Sequence, residues 1–299
     1  MQFPLSREAV TRFEYLDEAG STNDVLVGHA TGADAAGWPH LSTIVTDNQT
    51  RGRGRLGRTW LAPTGKSLAI SVLLRPLVGT SVGPDADAGQ GTPLPVDRFG
   101  WFPLLAGAAM TIAVRAEVDA SLLAGVTPAG AATAGPDDGD LPAHEVTLKW
   151  PNDVLIDGYK VSGILSELLP DTRGLVIGAG LNLSLDEHDL PTLVSTSLLL
   201  VTGRAPEADA VLARYLTELA RLTAAFLAAH GDPVASGLLG TVTGLCGTLG
   251  SKVRVQLPGG DDLVGVATAL DESGRLIVED QATGEPRAVA AGDVTHLRY

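Results

Sequence analysis

Four short stretches of this 299-residue chain carry side chains whose types and spacing could do chemistry. The densest is Gly52-Arg53-Gly54-Arg55-Leu56-Gly57-Arg58-Thr59-Trp60, preceded by Gln49 and Arg51. Glycines at alternate positions let the backbone come close to a ligand, and its N–H groups can form an anion-binding concavity. The arginines add forked donors that match phosphate or carboxylate geometry. Trp60 offers a face on which an adenine ring could stack. The plain alternative is a solvated basic loop; the flanking strand patterns and the terminal tryptophan favour a ligand loop.

The second stretch is Lys149-Trp150-Pro151-Asn152-Asp153, continuing to Lys160-Val161-Ser162-Gly163-Ile164-Leu165. Asp157-Gly158 between two apolar triplets predicts a β-hairpin turn, so that Asn152 and Gly163 approach one another across the strands. Lysine, asparagine and aspartate gathered at one sheet end could hold a triphosphate and its magnesium; an ordinary hairpin with exposed lysines has the same pattern. The third stretch, Ser21-Thr22-Asn23-Asp24, reads as a helix N-cap, whose hydroxyls and N–H groups can also bind a polar ligand. The fourth, Gly178-Ala179-Gly180-Leu181-Asn182, sits in a strand-like run. It lacks the third glycine and following helix of a dinucleotide fingerprint, so its glycines serve close backbone approach and Asn182 reaches the ligand. Cys246, the only cysteine, and the six histidines form no pairing that suggests a nucleophile or metal site; His144, His188 and His230 read as solvent-facing loop residues.

The elements that must position these residues alternate in character. Runs at 41–46, 67–74, 146–149 and 175–183 predict sheet strands, and helices are predicted at 22–30, 101–118 and 207–229. In the last, Val211, Leu212, Tyr215, Leu216, Leu219, Leu222, Phe226 and Leu227 recur at three- and four-residue spacing, giving one apolar face. Short alternating segments at 252–257, 263–270, 276–279 and 287–290 predict a small β-barrel. The fold expected is therefore α+β: a mixed β-sheet catalytic domain packed with helices over 1–239, then a small C-terminal β-barrel domain over 240–299. Gly/Pro/Asp/Ala-rich insertions fall near 78–98 and 119–145.

Composition sets the outer limits. With 44% hydrophobic and 4% aromatic residues, small aliphatic side chains must carry the core. A formal net charge of -14 opposes a general nucleic-acid binder, which needs clustered Lys and Arg, and the predicted barrel shows no aromatic stacking platform. The first ten residues show no secretory pattern, and the most apolar stretch, 104–114, falls short of the ~18–20 residues that span a bilayer. A soluble, cytoplasmic protein with no DNA and no membrane partner is expected.

Taken together and in order, these motifs resemble the catalytic core of biotin protein ligases. The resemblance covers most of the chain outside the two insertions, and the ordered set is far more specific than any one motif. It implies an ATP-dependent ligase that forms biotinyl-5'-AMP from biotin and ATP, with Mg²⁺, and transfers biotin to a lysine of a biotin carboxyl carrier protein or biotin-dependent carboxylase subunit. It implies a biotin site at Ser21, Thr22, Asn23, Gln49, Gly52, Arg53, Arg55, Lys160 and Gly163. It places ATP or the adenylate at Arg55, Arg58, Trp60, Lys149, Asn152 and Asn182, with Trp60 beside the adenine. Lys160, Arg55 and Arg58 are the expected catalytic residues, and no protein-bound metal centre is expected. Only twenty residues precede Ser21, too few for the winged-helix DNA-binding domain of bifunctional repressor ligases, so a ligase without operator binding is expected. A homodimer is compatible with the resemblance. A lipoate protein ligase, using the same two-step activation, is the nearest rival, and the arginine loop ending in Trp60 together with 149–153 favours the biotin branch.

Overall fold

A computed structural model describes residues 1–60, 62–79, 91–123, 143–257, 261–290 and 292–297. Its first half is a seven-stranded mixed sheet. The strands are β1 (Arg12–Tyr15), β2 (Ser42–Thr46), β5 (Ser67–Leu74), β8 (Val146–Lys149), β9 (Asp153–Ile156), β10 (Tyr159–Leu168) and β11 (Leu175–Asn182), in the order β1-β2-β5-β11-β10-β9-β8. Only β1 and β2 are parallel; the other neighbours are antiparallel. Between β2 and β5 the arginine loop forms its own ladder of β3 (Gly52–Arg53) and β4 (Thr59–Trp60). A further ladder pairs β6 (Leu77–Val78) with β7 (Thr92–Pro93), the described ends of the first insertion. Residues 80–90 of that insertion, and 124–142 of the second, lie outside the described residues.

Helices cover both faces, because every residue of β5 is buried and its side chains alternate between two partners. Leu68, Ile70, Val72 and Leu74 join the large core under α3 (Trp101–Leu123) and α5 (Ala208–Ala228), while Leu73 packs with Leu26 and Ala30 of α2 (Thr22–Thr31). The short helices α1 (Pro4–Glu8), α4 (Leu198–Thr202) and α6 (Leu238–Leu245) pack on this frame. Helix α3 runs five residues beyond its predicted end. The helical segment containing it is long and apolar enough by composition to cross a bilayer, yet 72% of its most apolar window is buried inside the fold; its apolarity serves the core.

The described chain from Lys252 onward is all-β, with strands β12 (Lys252–Gln256), β13 (Asp262–Leu270), β14 (Leu276–Asp280), β15 (Pro286–Val289) and β16 (Asp293–His296), whereas the boundary expected between 239 and 240 falls inside α6. They form an open antiparallel sheet, ordered β15-β14-β13-β12-β16, rather than a closed barrel. Two indoles hold this sheet against the catalytic half: Trp101 Nε1 donates to Glu272 O at 2.8 Å and Trp150 Nε1 to Gly274 O at 3.0 Å.

Candidate active site

The floor of the site follows from sheet register. Gly163 of β10 lies opposite Gly180 of β11, and Gly178 lies opposite Leu165. Cross-strand partners share a face, so three glycines leave a bare patch on the face that also carries α2. Each is covered by a working side chain from elsewhere. A Cβ at Gly178 would meet Asn23 Oδ1 at 2.6 Å, one at Gly180 the Trp60 ring at 2.3 Å, and one at Gly163 Lys160 Nζ at 2.9 Å. Lys160 and Gly163 are three apart and would face opposite ways in a regular strand. A register shift between Lys160 and Ser162 inserts one residue and brings both to the same face.

One cleft, lined by Ser21, Thr22, Asn23, Gln49, Arg53, Arg55, Trp60, Asn152, Lys160 and Gly163 among others, rises from this floor. At its closed end Ser21 caps α2, its hydroxyl accepting from Asp24 N. Thr22 N donates to Gln49 Oε1 at 2.9 Å, and the Ser71 hydroxyl of β5 sits 2.6 Å from Asn23 Oδ1 and 2.8 Å from Thr22 Oγ1. Two donors here, Asn23 Nδ2 and Trp60 Nε1, are buried without a partner among the described residues. Buried donors left unmade are costly, and both belong to residues that line the cleft, so the site is built for an oxygen acceptor.

The open end is cationic. Lys160 Nζ pairs with Asp153 Oδ1 at 2.6 Å, and Arg55 Nη1 donates to Asn152 Oδ1 at 2.7 Å. Burial holds the Arg55 guanidinium below its ordinary pKa, with Asp153 and Asp293 pulling the other way. Burial likewise lowers the pKa of the Lys149 ammonium, against the same two carboxylates. Cations desolvated there in excess of the carboxylates of Asp153 and Asp293 attract a polyanion.

The arginine loop closes one side. Arg53 is clasped by Asp24 at 2.6 Å and Glu167 at 2.9 Å, while Arg58 pairs with Asp293 of the C-terminal sheet. At the tip, exposed Leu56 adopts a left-handed backbone with φ of 55°, and Gly57 follows at 73°; for a leucine that conformation costs roughly 1 kcal/mol or more. A second cavity of about 360 Å³ adjoins the cleft, sharing Arg55, Asn152, Ile164 and Leu165 and bounded beyond them by Leu104, Trp150 and Arg275.

Several expected residues stand elsewhere. Gly52 does not line the cleft: a Cβ there would lie 2.1 Å from Trp60 O and 2.4 Å from Gln49 Nε2, so its role is close packing. Asn182 shares the glycine face but sits at the strand end under the 192–197 loop, where its buried amide donates to Thr196 O at 2.8 Å instead of reaching into the cleft. Trp60 has one ring face on the sheet at Gly180, and Lys160 Nζ stands 5.9 Å from a ring centroid, which makes Trp60 a cleft wall more than a free stacking platform. Lys149 and Arg58 flank the cationic end without lining the cleft. His144 is half-buried and bound to Asp157 at 2.6 Å rather than solvent-facing, whereas His188 and His230 are exposed. Sequence reasoning missed Ser71, Glu167 and Asp293. A serine inside the aliphatic run 67–74 was the available signal for the first; the others depend on contacts distant in sequence. Among the described residues no cluster of three or more His, Cys, Asp or Glu could hold a metal ion.

Residues 21–85 and 108–182 match the model of the biotin/lipoate A/B protein ligase family, and 248–297 match the biotin protein ligase C-terminal domain. A biotin--[acetyl-CoA-carboxylase] ligase of Mycobacterium tuberculosis is 33% identical over 96% of this chain and 90% of its own length. The bifunctional ligase/repressor BirA of Bacillus spizizenii is 25% identical over 81% of this chain and 63% of its own length. The solved biotin protein ligase from Aquifex aeolicus in complex with biotin and ATP superposes with a TM-score of 0.67 at 23% identity, covering 97% of this chain and all of that one; the likeness is one of fold. On the strength of the domain matches and the near full-length 33% relative, the chain belongs to the biotin protein ligase family.

Proposed function

We propose that this chain joins biotin to ATP as biotinyl-5'-AMP and passes the biotinyl group to a lysine of a biotin-dependent carboxylase subunit, in the cytoplasm. The observation that carries the reading is the single cleft in which a glycine floor, two unpartnered buried donors and the Arg55–Lys160 cationic end succeed one another. Biotin's fused rings suit the cleft beside the Trp60 ring that the glycine floor seats, its ureido carbonyl accepts from donors at the closed end, and its carboxylate chain points to the cations. A lipoyl dithiolane ring has no oxygen to satisfy Asn23 Nδ2 and Trp60 Nε1, so the donor set favours biotin over lipoate.

In the first half-reaction a biotin carboxylate oxygen attacks the α-phosphorus of ATP in line. The new P–O bond forms as the bond to the bridging oxygen breaks, and pyrophosphate leaves with the electron pair. Both reactants are anions, so the protein's work is to align them and offset charge. Lys160 and Arg55 do this at the carboxylate and α-phosphate, with Arg58 and Lys149 nearby. Mg²⁺ prefers oxygen ligands and, with nucleotides, needs only one or two from the protein. Asp153 would hold the ion, since it keeps one carboxylate oxygen beyond the one given to Lys160, with Asn152 beside it, and the ion would neutralise phosphate charge. In the second half-reaction a neutral lysine amine of the carrier attacks the acyl carbon, AMP departs, and the proton lost from nitrogen passes to solvent.

The test is intact-mass measurement of a carrier domain incubated with the chain, biotin, ATP and Mg²⁺. One biotinyl addition, lost when lipoate replaces biotin, is the expected result. No addition, or addition of lipoate alone, would exclude the reading.

A further inference from the structure

The arginine loop is fastened at two places that belong to different halves of the molecule. Its entry is fixed to the catalytic half, where Arg53 pairs with Asp24 of α2 and Glu167 of β10. Gly54 N donates to Arg58 O at 2.6 Å, so the tip from Arg55 to Arg58 folds back on itself. The tip then meets the C-terminal sheet, with Arg55 Nη2 donating to Gly292 O at 3.4 Å and Arg58 making its ion pair with Asp293. The seat for these contacts is closely packed. Asp293 opens β16 in register with Gln256, and a Cβ on Gly292 would lie 2.7 Å from Val255 Cγ1 and 2.9 Å from Gln256 O. Without Asp293 the loop tip keeps, among the described residues, the long Arg55–Gly292 hydrogen bond on that side.

We propose that Asp293 is a positioning residue of the ligase site: acting through Arg58, it latches the arginine loop to the C-terminal sheet, so that retention of the acyl-adenylate depends on this carboxylate. The inference rests on the function proposed above. It gives the C-terminal sheet a task that its distance in sequence from every motif conceals. Adenylate chemistry proceeds at Lys160 and Arg55, whose partners Asp153 and Asn152 lie in the catalytic half. Loss of the latch therefore acts on how long the reactive anhydride stays covered, more than on how fast it forms.

The test uses the full chain with biotin, ATP and Mg²⁺ and measures biotinyl-AMP appearing free in solution, beside pyrophosphate exchange. Asp293→Asn should release adenylate about tenfold faster than wild type while raising KM for ATP more than it lowers kcat. Asp293→Glu, which restores the carboxylate, should stay within about twofold of wild type. In an Arg58→Ala background Asp293→Asn should change leakage by less than about twofold, because the partner is already gone. Should the asparagine variant not fold, Asp293→Ser removes the same charge with a smaller group. Wild-type leakage in the folded charge-free variant overturns the latch, as does an undiminished increment in the Arg58→Ala background. A wild-type chain that forms no adenylate overturns the ligase reading itself, a result distinct from adenylate that is made and held equally well.

Discussion

At the scale of single residues the cleft is defined by side chains that are missing. Gly163, Gly178 and Gly180 have ordinary strand conformations, so what selects glycine there is space. Gly180 shows this most sharply, since a methyl group would lie 2.3 Å from the Trp60 ring, well inside contact distance. The indole cannot yield toward the sheet, so Gly180→Ala must push it into the volume reserved for the biotin rings. The expected outcome is biotin binding weakened at least about tenfold, roughly 1.4 kcal/mol, in a calorimetric titration. The protein should stay folded, because the clash is relieved into an open cleft. Binding at wild-type strength would show that Trp60 is not a wall of the biotin site.

Secondary-structure elements turn those residues into a site, and here the sequence is legible only in part. Hairpin, N-cap and apolar helix faces follow local rules, and the strands and helices stand close to where periodicity put them. The extra residue in β10 between Lys160 and Ser162 has no such signature, since a bulge depends on pairing with a partner strand. Without it Lys160 would face the core. The open C-terminal sheet looks like a barrel in sequence because alternation in each strand is the same whether or not the sheet closes. Asn182 has the pattern of a ligand residue because the glycine motif leads up to it, yet the loop that covers it is fixed by tertiary contacts. That loop has its own relation to catalysis. Lys160 N donates to Val194 O and Thr196 N to Lys160 O, both at 2.8 Å, while Asn182 holds Thr196 O. Asn182→Ala should therefore disturb Lys160 through Thr196. Pyrophosphate exchange is expected to fall about tenfold while biotin affinity changes less than about twofold. Equal loss in both would mean that the asparagine supports the whole cleft and not the lysine alone.

Over the whole molecule the two sheets act as one body. The principal core runs without a break from Val72 and Ile177 of the catalytic sheet to Val253 and Val278 of the C-terminal one. Trp150 is central to that union. It sits inside a motif whose neighbours Asn152 and Asp153 face the cationic end, yet its own ring is buried and its Nε1 reaches Gly274 O, while its backbone N donates to Thr248 Oγ1 at 3.0 Å. One five-residue segment thus serves the chemistry and the domain contact together, so that Asn152 cannot shift without also shifting the C-terminal sheet. Gly274, at φ of 76°, brings the turn within reach; a Cβ there would meet Leu104 Cδ1 at 2.9 Å. Trp150→Phe deletes one buried donor, leaves Gly274 O without that partner, and keeps most of the packing. A loss of about 1–3 kcal/mol is expected, read as a melting temperature lowered by roughly 2–6 °C. A continuous core should unfold wild type in a single calorimetric transition. In the variant the lower-melting part should be the C-terminal sheet, seen as earlier proteolysis beyond Thr248 and a raised KM for ATP. Two well-separated transitions in the wild-type chain would instead mean that the sheets are independent, and that the indole bond has no part in holding the arginine loop's seat in place.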